Sequence, residues 1–345
     1  MRFRFIQRAI PAVFFTVAAS RTPHPVAAQG TTPQVQLKIA TVAPENTSWM
    51  KTMREIDTAI RKETGNAVGF KIYPNGVQGD EPVVLRKIRS GQLHGGGFTG
   101  RGLGVIAPAL RVMEVPFLFE NYAQVDRVRE KLNAQLEGAA HEGGFTVLGW
   151  VDVGFIHLFS RQPVATQADL KSVKMWVWEG DPLAEAFFKA VGVVPVPLQV
   201  TDVLTSLQTR LVDGVYASPL ACIALQWFTR VSHYTDTPVT YATGGVVVAN
   251  AAFETIPAAH RDTMLRICHE KFRELTIRSR KEDAESLQLI EKSGVKRVTV
   301  APAELARFET IGQSVSKDMA GKLYPQALLN AVIAAKVDAG AGGTK

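Results

Sequence analysis

The chain has 345 residues, 46% hydrophobic and 21% charged, with 39 Lys and Arg against 32 Asp and Glu and a formal net charge of +7. Four of those arginines and none of the acids lie in residues 1–28, so without that stretch Lys and Arg fall from 39 to 35 and the net charge from +7 to +3. A near-balanced chain with no Lys/Arg cluster excludes nucleic acid as a partner.

Residues 1–28 read as an export signal. Arg2, Arg4 and Arg8 form a positive start, Ala9 to Ala19 a short apolar run, and Val26-Ala27-Ala28 a small-residue cleavage site. That run is shorter than the roughly 20 apolar residues a bilayer span needs, and no later stretch reaches that length without charges. The expectation is a periplasmic protein with no direct membrane insertion. No cysteine lies in the cleavage region to carry a lipid anchor. Cys222 and Cys268 are expected as two separate buried thiols on helices, although export permits a disulfide between them. The remaining chain, about 315 residues, exceeds the usual size of one core, so two domains are expected.

Val35 to Val42 alternates as a strand, and Asn46, Thr47 and Ser48 can cap a helix with Met50, Met53, Ile56 and Ile60 on one face. A second strand, Val68 to Tyr73, closes on Pro74-Asn75-Gly76. A helix from about Pro82 to Arg89 and a glycine-rich strand from Leu93 to Thr99 complete a β-α-β-α-β unit, the pattern of a parallel sheet. After Val115-Pro116-Phe117-Leu118-Phe119 a helix runs from about Tyr122 to Ala140. Phe145 to Phe159 is one long extended segment, read as the crossing into a second lobe.

There the alternation resumes with a capped helix at Thr166 to Leu170, a strand from Lys174 to Trp178, a helix from Pro182 to Val191 and a strand near Val193 to Val196. A helix from Val200 to Arg210, a strand from Val212 to Tyr216 and a helix from Pro219 to Phe228 follow. Val239 to Asn250 is extended, and Ala258 to Lys292 is helical with no Pro or Gly for 35 residues. A helix that long cannot be covered by one small lobe and is expected to lie along both. Lys296 to Val300 is a last strand and a helix begins near Ala303. The lobes are expected as 30–153 plus 242–281 and 154–241 plus 282–335, with 336–345 a disordered tail.

Chemistry-bearing motifs are few. His94-Gly95-Gly96-Gly97 has the look of an oxyanion loop, but no G-x-S-x-G nucleophile turn exists, so the glycines are read as sites of close approach. Gly100-Arg101-Gly102-Leu103-Gly104 lacks the dinucleotide spacing, and no G-x-x-x-x-G-K-[ST] loop is present. The seven histidines are scattered without zinc-ligand spacing. No cofactor, metal or catalytic constellation is expected, and the chain is read as not an enzyme. The unusual feature is aromatic. Trp176 and Trp178 alternate on one strand and point to one face, while Phe98, Phe155, Tyr216 and Trp227 sit at other element ends.

These segments, from about Val35 to the last helix, resemble the DctP-type substrate-binding proteins of TRAP transporters. The resemblance is carried by Ile72-Tyr73-Pro74 with Gly79-Asp80, Ile88-Arg89-Ser90-Gly91, Val115-Pro116-Phe117-Leu118-Phe119, and Gln162-Pro163 with Asp169-Leu170-Lys171. It continues in Lys174-Met175, Ala190-Val191-Gly192 with Pro195-Val196-Pro197-Leu198, and Leu207-Gln208-Thr209 with Val212-Asp213-Gly214. It implies the α/β two-lobed periplasmic binding fold: a cleft between lobes, hinge strands, a long helix spanning both lobes, and closure on a small carboxylate delivered to a TRAP-type or other inner-membrane transporter component.

The resemblance also implies a carboxylate-clamping arginine, since a guanidinium fork binds a carboxylate bidentately. The matching residue here is Trp176. A second cationic position falls on Ile156, and further polar positions fall on Thr99 and Gly244. With each charged contact replaced, the expected ligand is an uncharged or largely apolar small organic molecule stacked on Trp176 and Trp178. Phe98, Val42 and Val200 complete the expected wall, with Thr99, Tyr216 or Ser218 supplying hydrogen bonds. The alternatives are an organic acid, a quaternary ammonium between the tryptophans and Glu179 or Asp181, a lipid-like solute, or a structural role without a ligand.

Overall fold

The computed structural model describes residues 32–337. The expected export signal, and the expected tail from residue 338 onward, lie outside these residues. Ten strands are present among them: β1 (Val35–Thr41), β2 (Val68–Tyr73), β3 (Gly95–Thr99), β4 (Phe145–Ser160), β5 (Trp176–Trp178), β6 (Val196–Leu198), β7 (Gly214–Ala217), β8 (His233–Thr235), β9 (Thr240–Ala249) and β10 (Lys296–Val298). β1 pairs parallel with both β2 and β3, as the β-α-β-α-β pattern requires. β9 returns antiparallel between β3 and β4, closing this first sheet.

β4 is the strand that joins the two halves. Its first twelve residues pair with β9, and its last four pair with β7 on one side, two of them also with β8 on the other. Register shifts fall between Val147 and Gly149 and between Asp152 and Gly154, and such bulges bend a strand and raise its twist. Gly154 stands at φ 117°, a backbone value that L side chains rarely adopt. A Cβ at Gly149 would lie 2.3 Å from the Phe272 ring, so the glycine lets the helix Ala258–Lys292 press onto the sheet.

That 35-residue helix packs on β4, on the helix Ser48–Glu63 and on the helix Pro219–Ala224. Its first half buries Met264, Ile267, Phe272 and Leu275 in the core of the first sheet, and Ile290 near its end belongs to the core under β7 and β8. One helix therefore serves both halves, as its length foretold. Cys222 and Cys268 are separate buried thiols in different cores.

Several expected boundaries move. Val193 is no strand residue: its N–H bonds to Phe188 O and, with Gly192 in the left-handed region, stops the helix Pro182–Val191. β6 starts three residues later and pairs parallel with β5. Arg210 and Gln226, both at positive φ, end the expected 200–210 and 219–228 helices early. The first becomes a 3-10 turn, Val200–Asp202, followed by the helix Val203–Gln208. The second becomes the helix Pro219–Ala224 followed by the 3-10 turn Trp227–Arg230. The helix Gly100–Ile106, the short β8 and the helix Gln326–Lys336 were not anticipated. Three glycines in seven residues argue against a helix, and packing overrides that propensity here.

Candidate ligand cavity

A cavity of about 240 Å³ opens where the strand ends of the first sheet face β5, β7 and the helix Pro219–Ala224. Nine of the ten expected site residues line it: Val42, Phe98, Thr99, Ile156, Trp176, Trp178, Val200, Tyr216 and Ser218. Gly244 does not. It lies behind the cavity on β9, against Trp49, Val153 and the Phe98 carbonyl, so the expectation for Gly244 is corrected.

Trp176 and Trp178 do share a face, with ring centroids 5.8 Å apart. Trp176 is 2% exposed, stacks on Tyr216 at 4.9 Å and meets Trp227 edge-on at 5.2 Å. Its Nε1 donates to Leu198 O at 3.0 Å, and Trp178 Nε1 donates to Asp80 Oδ2 at 2.8 Å. Both indole N–H groups are thus satisfied within the protein, and the rings are packed among their neighbours at the edge of the cavity.

The first-sheet wall is charged, contrary to expectation. Asp80, Glu81, Arg101, Arg111 and Glu114 are all buried on the segments that follow β2 and β3. The G-R-G-L-G run explains how they fit. A Cβ at Gly100 would fall 1.9 Å from Glu114 Oε1, one at Gly102 would fall 2.6 Å from Glu81 Oε2, and one at Gly104 would fall 2.7 Å from Arg111 Cδ. Each glycine makes room for one charged side chain.

Most of this charge is balanced locally. Arg111 Nη2 donates to both Asp181 oxygens at 2.9 and 3.0 Å, and its Nε lies 3.2 Å from Glu114. Asp181 also caps the helix Pro182–Val191, accepting from Leu183 and Ala184. Asp152 is held by Arg129 and Arg280. Burial pushes Glu81 up to about 8, against the hydrogen bonds from Thr99 N and Oγ1 that favour its charged form. Burial likewise pushes Glu114 up to about 7 despite Arg111. Both shifts follow from the cost of a carboxylate away from water.

Arg101 is different. Its Nε and Nη2 donate to Glu179 O at 3.2 and 2.8 Å, and among the described residues it has no carboxylate within 4 Å. Its charge acts on Glu81 only at a distance, and no carboxylate closes on it as Asp181 and Glu114 close on Arg111. Sequence reasoning missed Arg101 and Arg111 because neither stands where the DctP pattern puts an arginine. The glycines around Arg101 were the available signal. Asp80, Arg101 and Arg111, all from the first sheet's segments, grip the stretch Trp178 to Asp181 across the cavity.

The expected polar contacts are spent. Thr99 Oγ1 donates to Glu81, and Ser218 caps the helix Pro219–Ala224 through Ala221 N. Tyr216 Oη accepts from Trp178 N at 3.2 Å and keeps its hydrogen for an acceptor. Glu179 is exposed and turns only its carbonyl inward, and Asp181 is taken by Arg111, so the acids expected to hold a quaternary ammonium are not available to one. His94, in the glycine run, accepts from Lys38 N at 3.0 Å in a sheet-edge role. Among the described residues no cluster of His, Cys, Asp and Glu fits a metal, and no helix is long and apolar enough to cross a membrane.

Two α/β halves joined by crossing strands, with a cavity between them open to solvent, have the architecture of a two-lobed solute-binding protein. The chain belongs to the DctP family, bacterial extracellular solute-binding protein family 7, which it matches over residues 39–322. It is 27% identical to the 2,3-diketo-L-gulonate-binding periplasmic protein of Escherichia coli K12, over 81% of this chain and 85% of that protein. Its fold is that of the TRAP periplasmic solute-binding protein of Xanthobacter autotrophicus Py2 solved with β-D-galacturonate (TM-score 0.81, 19% identity, 87% of this chain and 99% of that one). It is equally that of the Shewanella oneidensis protein solved with succinate (TM-score 0.82, 22% identity, 88% and 100%). Proteins of this family are periplasmic binding components of membrane transporters, and the chain is a binding protein rather than an enzyme.

Proposed function

We propose that this chain captures a small organic acid in the cavity and delivers it to a TRAP-type inner-membrane transporter from the periplasm. The observation that carries the reading is Arg101: a buried guanidinium, 9% exposed, at the cavity wall, bonded to a carbonyl and not to a carboxylate. A buried cation without an ionic partner is costly, and a bound carboxylate removes that cost. Relatives named or solved with acids support the same choice over an uncharged ligand. Arg101 also bridges to Glu179 O in the opposing half, so a ligand anion on Arg101 strengthens the contact that shuts the cleft. Closure is then a shift in population driven by contacts made only in the shut form.

The test is to purify the protein from its periplasmic form, denature it, and identify the released small molecules by mass spectrometry beside Arg101→Gln. An organic acid that is present in the wild type and depleted in Arg101→Gln is the expected result. A neutral compound retained by both proteins would overturn the reading.

A further inference from the structure

Three features of the cavity narrow the acid: its size, its single unpaired charge and its spent hydroxyls. A cavity of about 150 Å³ lined by apolar side chains accepts a benzene molecule. The 240 Å³ here therefore holds one six-membered ring with about 90 Å³ left for a short chain and its carboxylate.

The charge allows one carboxylate. Arg101 is unpaired, but Arg111 is taken by Asp181 and Glu114, and Arg129 and Arg280 by Asp152. A second carboxylate on the ligand would face those carboxylates or the apolar side, where nothing repays its lost hydration. The hydroxyls of a sugar acid fare no better. Ser48, Thr99 and Thr240 each donate within the protein, and Ser218 bonds to Asp283, leaving the Thr41 and Tyr216 hydrogens as the hydroxyl donors still to be placed, too few for the several hydroxyls of a sugar acid. Sites that cannot pair a ligand's buried polar groups reject it.

The remaining wall is apolar and partly uncovered. Trp49, Val153, Leu220, Ala221 and Leu225 are half-buried and border the cavity, in front of the fully packed Trp176. They offer a ring the contact area that the charged wall does not.

We infer that the acid taken here is a monocarboxylate with one carbon ring on a short chain, of the 3-phenylpropanoate type, rather than a sugar acid or a dicarboxylate; this rests on the organic-acid reading above. The ring lies against the Leu220–Leu225 segment and Trp49, and the carboxylate lies at Arg101.

Isothermal titration tests this on the protein stripped of bound solute by unfolding and refolding, with 3-phenylpropanoate, its amide, succinate and galacturonate as probes. The expected result is that 3-phenylpropanoate binds about 100-fold tighter than succinate or galacturonate and about 10-fold or more tighter than its amide. Succinate or galacturonate binding as tightly as 3-phenylpropanoate would sink the ring assignment and leave the organic-acid reading standing. An amide that binds as well as the acid would sink both. Heat from none of the four would sink the ring assignment and would leave the acid reading to the mass spectrum.

Discussion

The two walls of the cavity are built on opposite principles. The wall from the first sheet carries Glu81, Arg101, Arg111 and Glu114 with glycines between them, and Asp80 behind it, and the wall from β5, β7 and the helix Pro219–Ala224 carries Trp176, Trp178, Tyr216 and Leu220. The aromatic wall is held by ring packing and gives surface without direction. The charged wall is held by the ion pairs of Arg111 with Asp181 and Glu114, whose cost of burial is met only while every partner is present. The difference teaches that the charged wall is the fragile one and the one that sets orientation, while the aromatic wall tolerates change in proportion to the atoms lost.

The sharpest way to break that comparison is Arg111→Met. It leaves Asp181 and Glu114 buried without their cation, and the expected cost is about 3–5 kcal/mol. Chemical denaturation checks it, and a loss below about 1 kcal/mol would mean the pair behaves like a surface bridge.

Next is the pH dependence of the charged wall. Glu81 has a folded value near 8 against an ordinary 4.5, so between those values the folded protein holds a proton that the unfolded chain has released. Its contribution to stability is therefore complete below about 4.5 and is lost as pH rises through about 8, with a slope of at most about 1.4 kcal/mol per pH unit. Denaturation midpoints should fall from pH 5 to pH 8 in the wild type and fall less in Glu81→Gln. Equal slopes in the two proteins would remove Glu81 from the account.

The smallest effect is expected on the aromatic wall. Trp178→Phe keeps a ring but removes the Nε1 donor to Asp80, which still accepts from Glu81 N and Val200 N. The expected cost is about 1–3 kcal/mol. Thermal unfolding checks it, and a cost matching that of Arg111→Met would erase the distinction between the walls.

Much of the fold was legible because it rests on local pattern. Alternation marked β1, extended runs marked β2 and β9, and the capping residues at Thr166 to Asp169 and the Pro- and Gly-free run from Ala258 to Lys292 marked helices. Nine of the expected site residues border the cavity, and they were named from the family resemblance and from the alternation of the two tryptophans on one strand. The sequence by itself determined the two-half α/β architecture and the shared face of Trp176 and Trp178. Only the tertiary structure decided that Arg101 and Arg111 stand in the cavity, that Gly244 does not, and that Asp181 is spent on Arg111. The reason is physical: a side chain's charge is written in the sequence, but whether that charge is paired depends on which distant groups the fold brings within about 4 Å, and no local pattern records that.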